Sequence, residues 1–363
     1  MEIITTLKEL YNKLPGYGFE LEVEAVLAEY LLFMQEREDL LALAQTYHDD
    51  IFENNCYTLG QIEGLPADDG KEGGLLFAAL YLARCERLPE VLAKRGIPAA
   101  FGDGAWNAYK GSLKKNKERY GNYGLQGMYR SSMTRHLMPV EFRLGRLLFE
   151  LVKFDSAFEI YRNKETGETI PVALPGFQYM PTGKRPPKTY EGELFEPYIK
   201  ENGNELECFT FDADGNFSAT PITLKLSAYD KVLATGDDVI SVHIPAEGRM
   251  TSELVDEAFQ IADDFFAKHY GDMDFKAYVC SSWLLNTDIK EFLDADSNII
   301  RFQNRFRIVI TSTNGYSLYW HVFRMENFVP LEELKPVNSF QQKFLDRVKA
   351  GQTLYNGYGY ILR

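Results

Sequence analysis

The sequence predicts an α+β chain in two parts: a helical N-terminal domain over residues 1–140, then a mixed β-sheet flanked by helices over residues 141–363. Three observations carry this. Apolar residues recur at helical spacing through the first part. Strand-like segments punctuated by Gly, Pro, Asn and Asp fill much of the second. Within that second part, "VISVHIPAEGRMTSELVDEAF" (239–259) reads as a strand, a tight connection and a helix, and "FKAYVCSSWLL" (275–285) as the strand that follows.

The elements follow in order. Val23, Val26, Leu27, Tyr30, Leu31 and Met34 lie on one stripe of a helix. "GGLLFAALYLARCERLPEVLAKRGIP" (73–98) is a second helical segment, which Pro89 interrupts or restarts. Residues 99–121 and 126–140 add more helix, and "LGRLLFELVKF" (144–154) enters the sheet. No repeat of fixed period marks a solenoid. From 155 to 204 the character changes. Pro175, Pro181, Pro186 and Pro187 make "PGFQYMPTGKRPPKTYEG" an extended loop, because proline fixes φ and removes a donor. Strands are expected at "LECFTF" (206–211), "NFSATPITLKLS" (216–227) and "DDVISVHIP" (237–245), with "DADGN" turning the chain between the first two.

A helix over 251–270 presents Leu254, Ala258, Ala262, Phe265 and Phe266 on one side. After the strand at 275–285 come a short helix (287–298), two strands at 299–312 and 317–323 about the turn "TNGY", a helix at 338–351 and the tail "YNGYGYILR". The β-helix-β crossover of 239–285 is the central unit. Its right-handed connection leaves 239–244 and 275–281 as parallel strands of one sheet.

Composition narrows the function classes. Hydrophobic residues make up 45% and charged residues 25% of 363, which allows a sizeable core. The 22 Tyr and 25 Phe suit aromatic-lined cores or pockets alike. A net charge of −14 argues against nucleic acid as a partner. The one basic run, with Lys110, Lys114, Lys115, Lys117 and Arg119, reads as a solvated face, with an anion contact as the sharper alternative. Cys56, Cys85, Cys208 and Cys280 are scattered without a CxxC or clustered His, as expected of reduced thiols and no metal site. No apolar run is long enough for a membrane span and no signal core opens the chain, so a soluble, cytoplasmic protein is expected.

Ligands of open sheets bind beyond the carboxyl ends of parallel strands. One such end delivers His243, Ile244 and Pro245, the other Cys280, Ser281, Ser282 and Trp283. His243 is a candidate general base, since a free imidazole titrates near ~6.5, or an edge histidine satisfied by the backbone. Cys280 is a nucleophile if His243 activates it, or a core residue placed by strand alternation. Ser282 orients substrate or ends the strand, and Trp283 is a ligand platform or a core anchor. In the connection "PAEGRMTSE", Thr251 or Ser252 caps the helix, Gly248 permits close backbone approach and Arg249 can pair with an anion. Glu253 and Asp256, in the first turn, stabilise the helix dipole themselves and repel a phosphate placed directly there.

Taken together, "EFRLGRLLFEL", "HIPAEGRMT", "CSSWLL" and "SNIIRFQNRF" resemble the GNAT-like N-acyltransferase proteins, in which a helical N-terminal domain precedes a GNAT-like C-terminal domain. The resemblance implies that 239–244 and 275–281 are the fourth and fifth strands of that fold, splayed around the pantetheine arm of acyl-CoA. It implies CoA contacts from Ile244, Glu247, Gly248, Arg249, Met250 and Thr251 and from backbone near Cys280. Two departures stand out. The loop keeps a single glycine, and "DADSNIIRFQNRF" holds no tyrosine to protonate the leaving thiolate, the nearest being Tyr316 and Tyr319. In that stretch Asn298 and Arg305 order the site or simply cap a helix and face water.

Three functions are compatible with these residues. In the first, an acyltransferase moves an acyl group from CoA, or a carrier-bound thioester, to a small-molecule amine or hydroxyl, with His243 as base and no metal. In the second, a non-catalytic module binds acyl-CoA. In the third, a Cys280–His243 thiol enzyme transfers acyl groups itself. Oligomeric state is not set by the sequence.

Overall fold

The structure, a computed structural model, describes residues 3–53, 70–245, 248–311, 318–325 and 328–363. The chain divides into two compact units, Met1–Phe142 and Arg143–Arg363.

The first unit is helical: α1 (Ile3–Lys13), α2 (Leu21–Gln35), α3 (Glu38–His48), α4 (Gly70–Ala93), α5 (Asp103–Tyr120) and α6 (Gly127–His136). Every residue of α4 from Leu75 to Cys85 is buried, so this helix, apolar nearly all round, is the one the others surround. Pro89 neither stops nor restarts it; α4 runs through. The buried Arg84 is held by packing over the Phe52 ring at 4.6 Å and by donating to the Leu137 carbonyl at 3.2 Å. The basic run lies on α5 and is partly consumed inside the fold. Lys110 donates to the Tyr17 and Gly18 carbonyls, and Lys117 pairs with Glu22 at 3.3 Å. No helix among the described residues is long and apolar enough to cross a membrane.

The second unit is built on a six-stranded mixed sheet. Its strands are β1 (Glu141–Leu144), β2 (Leu147–Lys153), β9 (Asp238–His243), β10 (Ala277–Ser282), β11 (Arg307–Thr311) and β12 (Asn356–Leu362), in spatial order β1-β2-β9-β10-β12-β11. β9 and β10 are parallel; β2–β9, β10–β12 and β12–β11 are antiparallel. One face packs on α7 (Ser252–His269), where Phe149, Phe259 and Tyr278 meet edge to face with centroids 5.0 to 5.9 Å apart. A fully buried ring such as Phe149 contributes about 1.5–3 kcal/mol. The opposite face meets one small antiparallel sheet and the loops around it, and a second small sheet packs on the first through Leu206, Cys208 and Leu224 against Tyr161 and Val172. The first comprises β3 (Phe158–Asn163), β4 (Thr169–Ala173) and β8 (Tyr229–Leu233). The second comprises β5 (Lys200–Asn202), β6 (Glu205–Cys208) and β7 (Ile222–Lys225). The core on that side joins Val239, Val279 and Tyr360 of the large sheet to Phe158, Ile160 and Tyr179. Much of the aromatic content is spent here; Tyr179 stacks on Phe217 at 4.3 Å.

The β9–α7–β10 unit forms where the sequence places it, and Asp212–Asn216 makes the expected turn, with Phe211 opposite Phe217. Several details differ. Leu254 is exposed (39%) and Val255 faces the sheet in its place. The first half of the strand expected at 299–312 is instead α8 (Asn298–Gln303), because Ser297 caps it by accepting from Ile300 N at 3.3 Å. Leu318–Phe323 is a wide helical turn and not a strand, while the expected "TNGY" turn lies outside the described residues. β11 takes its partner from the tail, whose β12 inserts between β10 and β11. Gly357 and Gly359 permit this insertion. A Cβ on Gly357 would run into the Leu285 carbonyl, and one on Gly359 would sit 2.7 Å from Phe306 Cβ. The segment 155–204, whose proline-rich part is irregular as expected, also contains β3 and β4.

Candidate active site

The site begins where β9 and β10 part. Their parallel ladder pairs Ile240 with Tyr278 and Ser241 with Val279, and no further, although the strands run on to His243 and Ser282. Beyond the two ends a cleft of about 840 Å³ opens, a size typical of small-molecule sites. Ile244, Pro245, Gly248 and Met250, from the connection after β9, form one wall. Trp283, Leu284 and Ile299 form another, and Val322, Met325 and Phe340 close the third side, Phe340 lying in the first turn of α9 (Ser339–Lys349).

The connection from β9 to α7 is pinned from outside. Arg146, just ahead of β2, donates from Nε to the Arg249 carbonyl at 2.8 Å. Its Nη2 donates to the Pro245 carbonyl at 2.8 Å and the Gly248 carbonyl at 3.3 Å. Gly248 sits at φ 79°, which a glycine adopts without strain. Thr251 caps α7, its hydroxyl accepting from Leu254 N at 3.5 Å. Glu253 is held below the usual carboxylate range by hydrogen bonds from its own backbone N–H and from the Thr251 side chain. Its carboxylate therefore occupies the first turn of α7, as its position in the sequence suggests. Glu247, an expected CoA contact, lies outside the described residues. Ile244, Gly248 and Met250 face the cleft, while Arg249 contributes its carbonyl to the Arg146 contact and Thr251 serves the helix.

His243 has a partner that the sequence reading missed. Its Nε2 lies 2.7 Å from Glu150 Oε2, on β2, and Glu150 is only 9% exposed. The antiparallel register sets Leu148 opposite His243 and Glu150 opposite Ser241, so both side chains leave the same face of the sheet. An ionised carboxylate only accepts, so in the neutral imidazole the proton sits on Nε2 and the lone pair on Nδ1. A charged residue inside the apolar run "LLFELVKF" was the available signal, since a buried carboxylate demands a partner.

Cys280 goes elsewhere. Strand alternation places it with Tyr278, on the α7 face, whereas His243 shares its face with Val239 and Val279. The thiol is 1% exposed and burial alone pushes its pKa up to about 12. The fold thus does not bring Cys280 and His243 together, and a thiolate is strongly disfavoured at that position. Ser282 ends the strand, its hydroxyl accepting from Leu284 N at 3.1 Å to cap a short helical turn. Trp283 is both anchor and wall. It packs edge-on against Phe344 at 5.7 Å and stacks on His321 at 6.3 Å. His321, partly desolvated beside it, has a lowered pKa. Tyr319 donates its hydroxyl to the Val329 carbonyl at 2.8 Å, and Tyr316 lies outside the described residues. Asn298 begins α8, and Arg305 pairs with Asp256 and reaches the Ser252 carbonyl, bracing the first turn of α7.

Comparison with known proteins gives this architecture a family. Three solved structures share the fold at 19% identity: an acyltransferase with decanoyl-CoA and teicoplanin (TM-score 0.52, 93% of this chain and 83% of that one), an acyltransferase with decanoyl-CoA (0.53, 89% and 77%) and a mutant acyltransferase with octanoyl-CoA (0.53, 97% and 86%). No curated protein matches in sequence. The model of the GNAT-like C-terminal domain matches residues 142–361, more than half of the chain, so the protein belongs to the family defined by that domain.

Proposed function

We propose that the protein is an acyltransferase that takes an acyl group from acyl-CoA and delivers it to an amine or hydroxyl. The observation that carries this reading is the cleft opening where the β9–β10 ladder ends, with the β9–α7 connection as one wall. The pantetheine arm lies between the parted strands, and the phosphates meet the backbone of residues 248–250. The acyl chain runs along Trp283, Leu284, Val322, Met325 and Phe340, an apolar lining suited to an aliphatic chain longer than acetyl. That fold relatives hold octanoyl- and decanoyl-CoA supports the same choice.

In the reaction, the acceptor's nitrogen or oxygen attacks the thioester carbonyl. A new C–N or C–O bond forms and the C–S bond breaks. His243 takes the acceptor's proton on Nδ1 and returns it to the CoA thiolate, while the Glu150 carboxylate fixes the ring and stabilises the imidazolium. Backbone amides just beyond Ser241 and Val279, where the parallel ladder ends, polarise the thioester carbonyl.

Thermal unfolding across acetyl-, octanoyl- and decanoyl-CoA tests the donor. Ligand at 100 times its Kd adds about 2.7 kcal/mol of stability. Each methylene buried in the cleft adds up to about 0.8 kcal/mol, so affinity should climb along the series. No shift with any of the three overturns the reading. Because the loop has one glycine and Tyr319 is already bonded, a non-catalytic acyl-CoA-binding module is the second reading. Stabilisation without turnover over a panel of amines and alcohols would establish it.

A further inference from the structure

The Arg146 guanidinium deepens this proposed donor site and rests on it. Three of its contacts go to main-chain carbonyls of a single connection, those of Pro245, Gly248 and Arg249, at 2.8, 3.3 and 2.8 Å. A trans peptide points its N–H opposite to its C=O, and no cis peptide occurs in the described chain. The carbonyls of Gly248 and Arg249 face Arg146, so the N–H groups of Arg249 and Met250, which share those peptide planes, face away from it. Neither N–H meets a backbone acceptor among the described residues. Successive free amides of this kind form an anion-binding concavity. The first turn of α7 is already engaged, since Leu254 N donates to the Thr251 hydroxyl and Glu253 brings a negative charge there.

We infer that Arg146 is a positioning residue for the acyl donor: by gathering three carbonyls of the β9–α7 connection it aims the Arg249 and Met250 amides at the pyrophosphate of CoA. Arg146 replaces the second glycine that this loop lacks. A glycine lets a loop fold amides outward by backbone freedom, whereas here a side chain from the β1–β2 turn holds them there. The guanidinium suits the task because its donors form a rigid planar fork that never loses its charge.

The test compares two donors that share the acyl-pantetheine arm and differ in the 3′-phospho-ADP that carries the pyrophosphate. Octanoyl-CoA carries the pyrophosphate and octanoyl-pantetheine does not. Calorimetric titration of the full-length protein and of Arg146→Met should show octanoyl-CoA weakened about tenfold or more, the scale of a lost charge-assisted contact, with octanoyl-pantetheine within twofold of wild type. Arg146→Lys, which can hold one or two of the carbonyls, should fall between and guards against a Met variant that folds poorly. A merely structural role would weaken both donors alike, and that result overturns the assignment. So does octanoyl-CoA binding equally to all three proteins. Wild-type protein that fails to bind octanoyl-CoA overturns the donor reading itself, and the assignment falls with it.

Discussion

β9 and β10 end side by side, and each ends on residues able to do chemistry, yet the fold treats them in opposite ways. His243 leaves the sheet on the side away from α7 and meets a carboxylate at 2.7 Å. Cys280 leaves on the α7 side, into a core of aromatic rings, and its thiol is driven up to about 12. A strand's side chains alternate with period two, so one step along the chain separates a polar, partnered position from a sealed apolar one. Proximity along a shared strand end is therefore not proximity of side chains. Register decides which pairs of residues can cooperate.

Substitution at His243 should have the greatest consequence. With His243 proposed as the proton acceptor, His243→Ala should lower turnover by about a hundredfold or more, with acyl-CoA affinity unchanged. Steady-state kinetics beside equilibrium binding would check both halves. Turnover that survives within a few-fold would remove His243 from the mechanism and leave positioning of the two substrates as the main source of rate.

Glu150→Gln should have the next largest effect. A glutamine can offer N–H to Nε2, which moves the ring proton to Nδ1 and consumes the lone pair assigned as base. Turnover should fall about ten- to a hundredfold while the donor KM stays put, as expected of a residue that orients a catalytic partner. A Glu150→Gln variant with a raised donor KM and unchanged kcat would point to a role in shaping the cleft.

The strand-turn-helix-strand around His243 was legible in the sequence because its signals are local. Alternation in "VISVH", a capping Thr251 and an apolar helical stripe each speak within a few residues. What was not legible depends on distant partners. β12 looks like a tyrosine- and glycine-rich tail until Gly357 and Gly359 are seen against Leu285 and Phe306. Glu150 is separated from His243 by 93 residues, and only the antiparallel register of β2 brings them together. Arg146 likewise acts on a loop about a hundred positions away, through carbonyls that no sequence pattern displays. The stripe on α7 was read one position off at Leu254. An exposed leucine in a first helical turn is cheap, and Val255 supplies the buried contact.

Substitution at Cys280 should leave catalysis nearly untouched. Cys280→Ala removes one buried sulfur from a close-packed face. It should cost about 1–2 kcal/mol of stability and leave turnover within about twofold of wild type. Its pH dependence carries a further sign. The folded thiol titrates at about 12, above the ordinary 9.0, so the folded state holds the proton more tightly than the unfolded chain does. The stability this gives is fully present below about 9 and is lost as the pH rises toward about 12. Denaturation curves at successive pH values in that window should show the gap between wild type and Cys280→Ala narrowing, since only the wild type has that thiol to ionise. A gap that stays constant, together with alkylation of Cys280 in the folded protein at neutral pH, would mean the thiol is open and ionisable. The contrast between the two strand ends would then have to be redrawn.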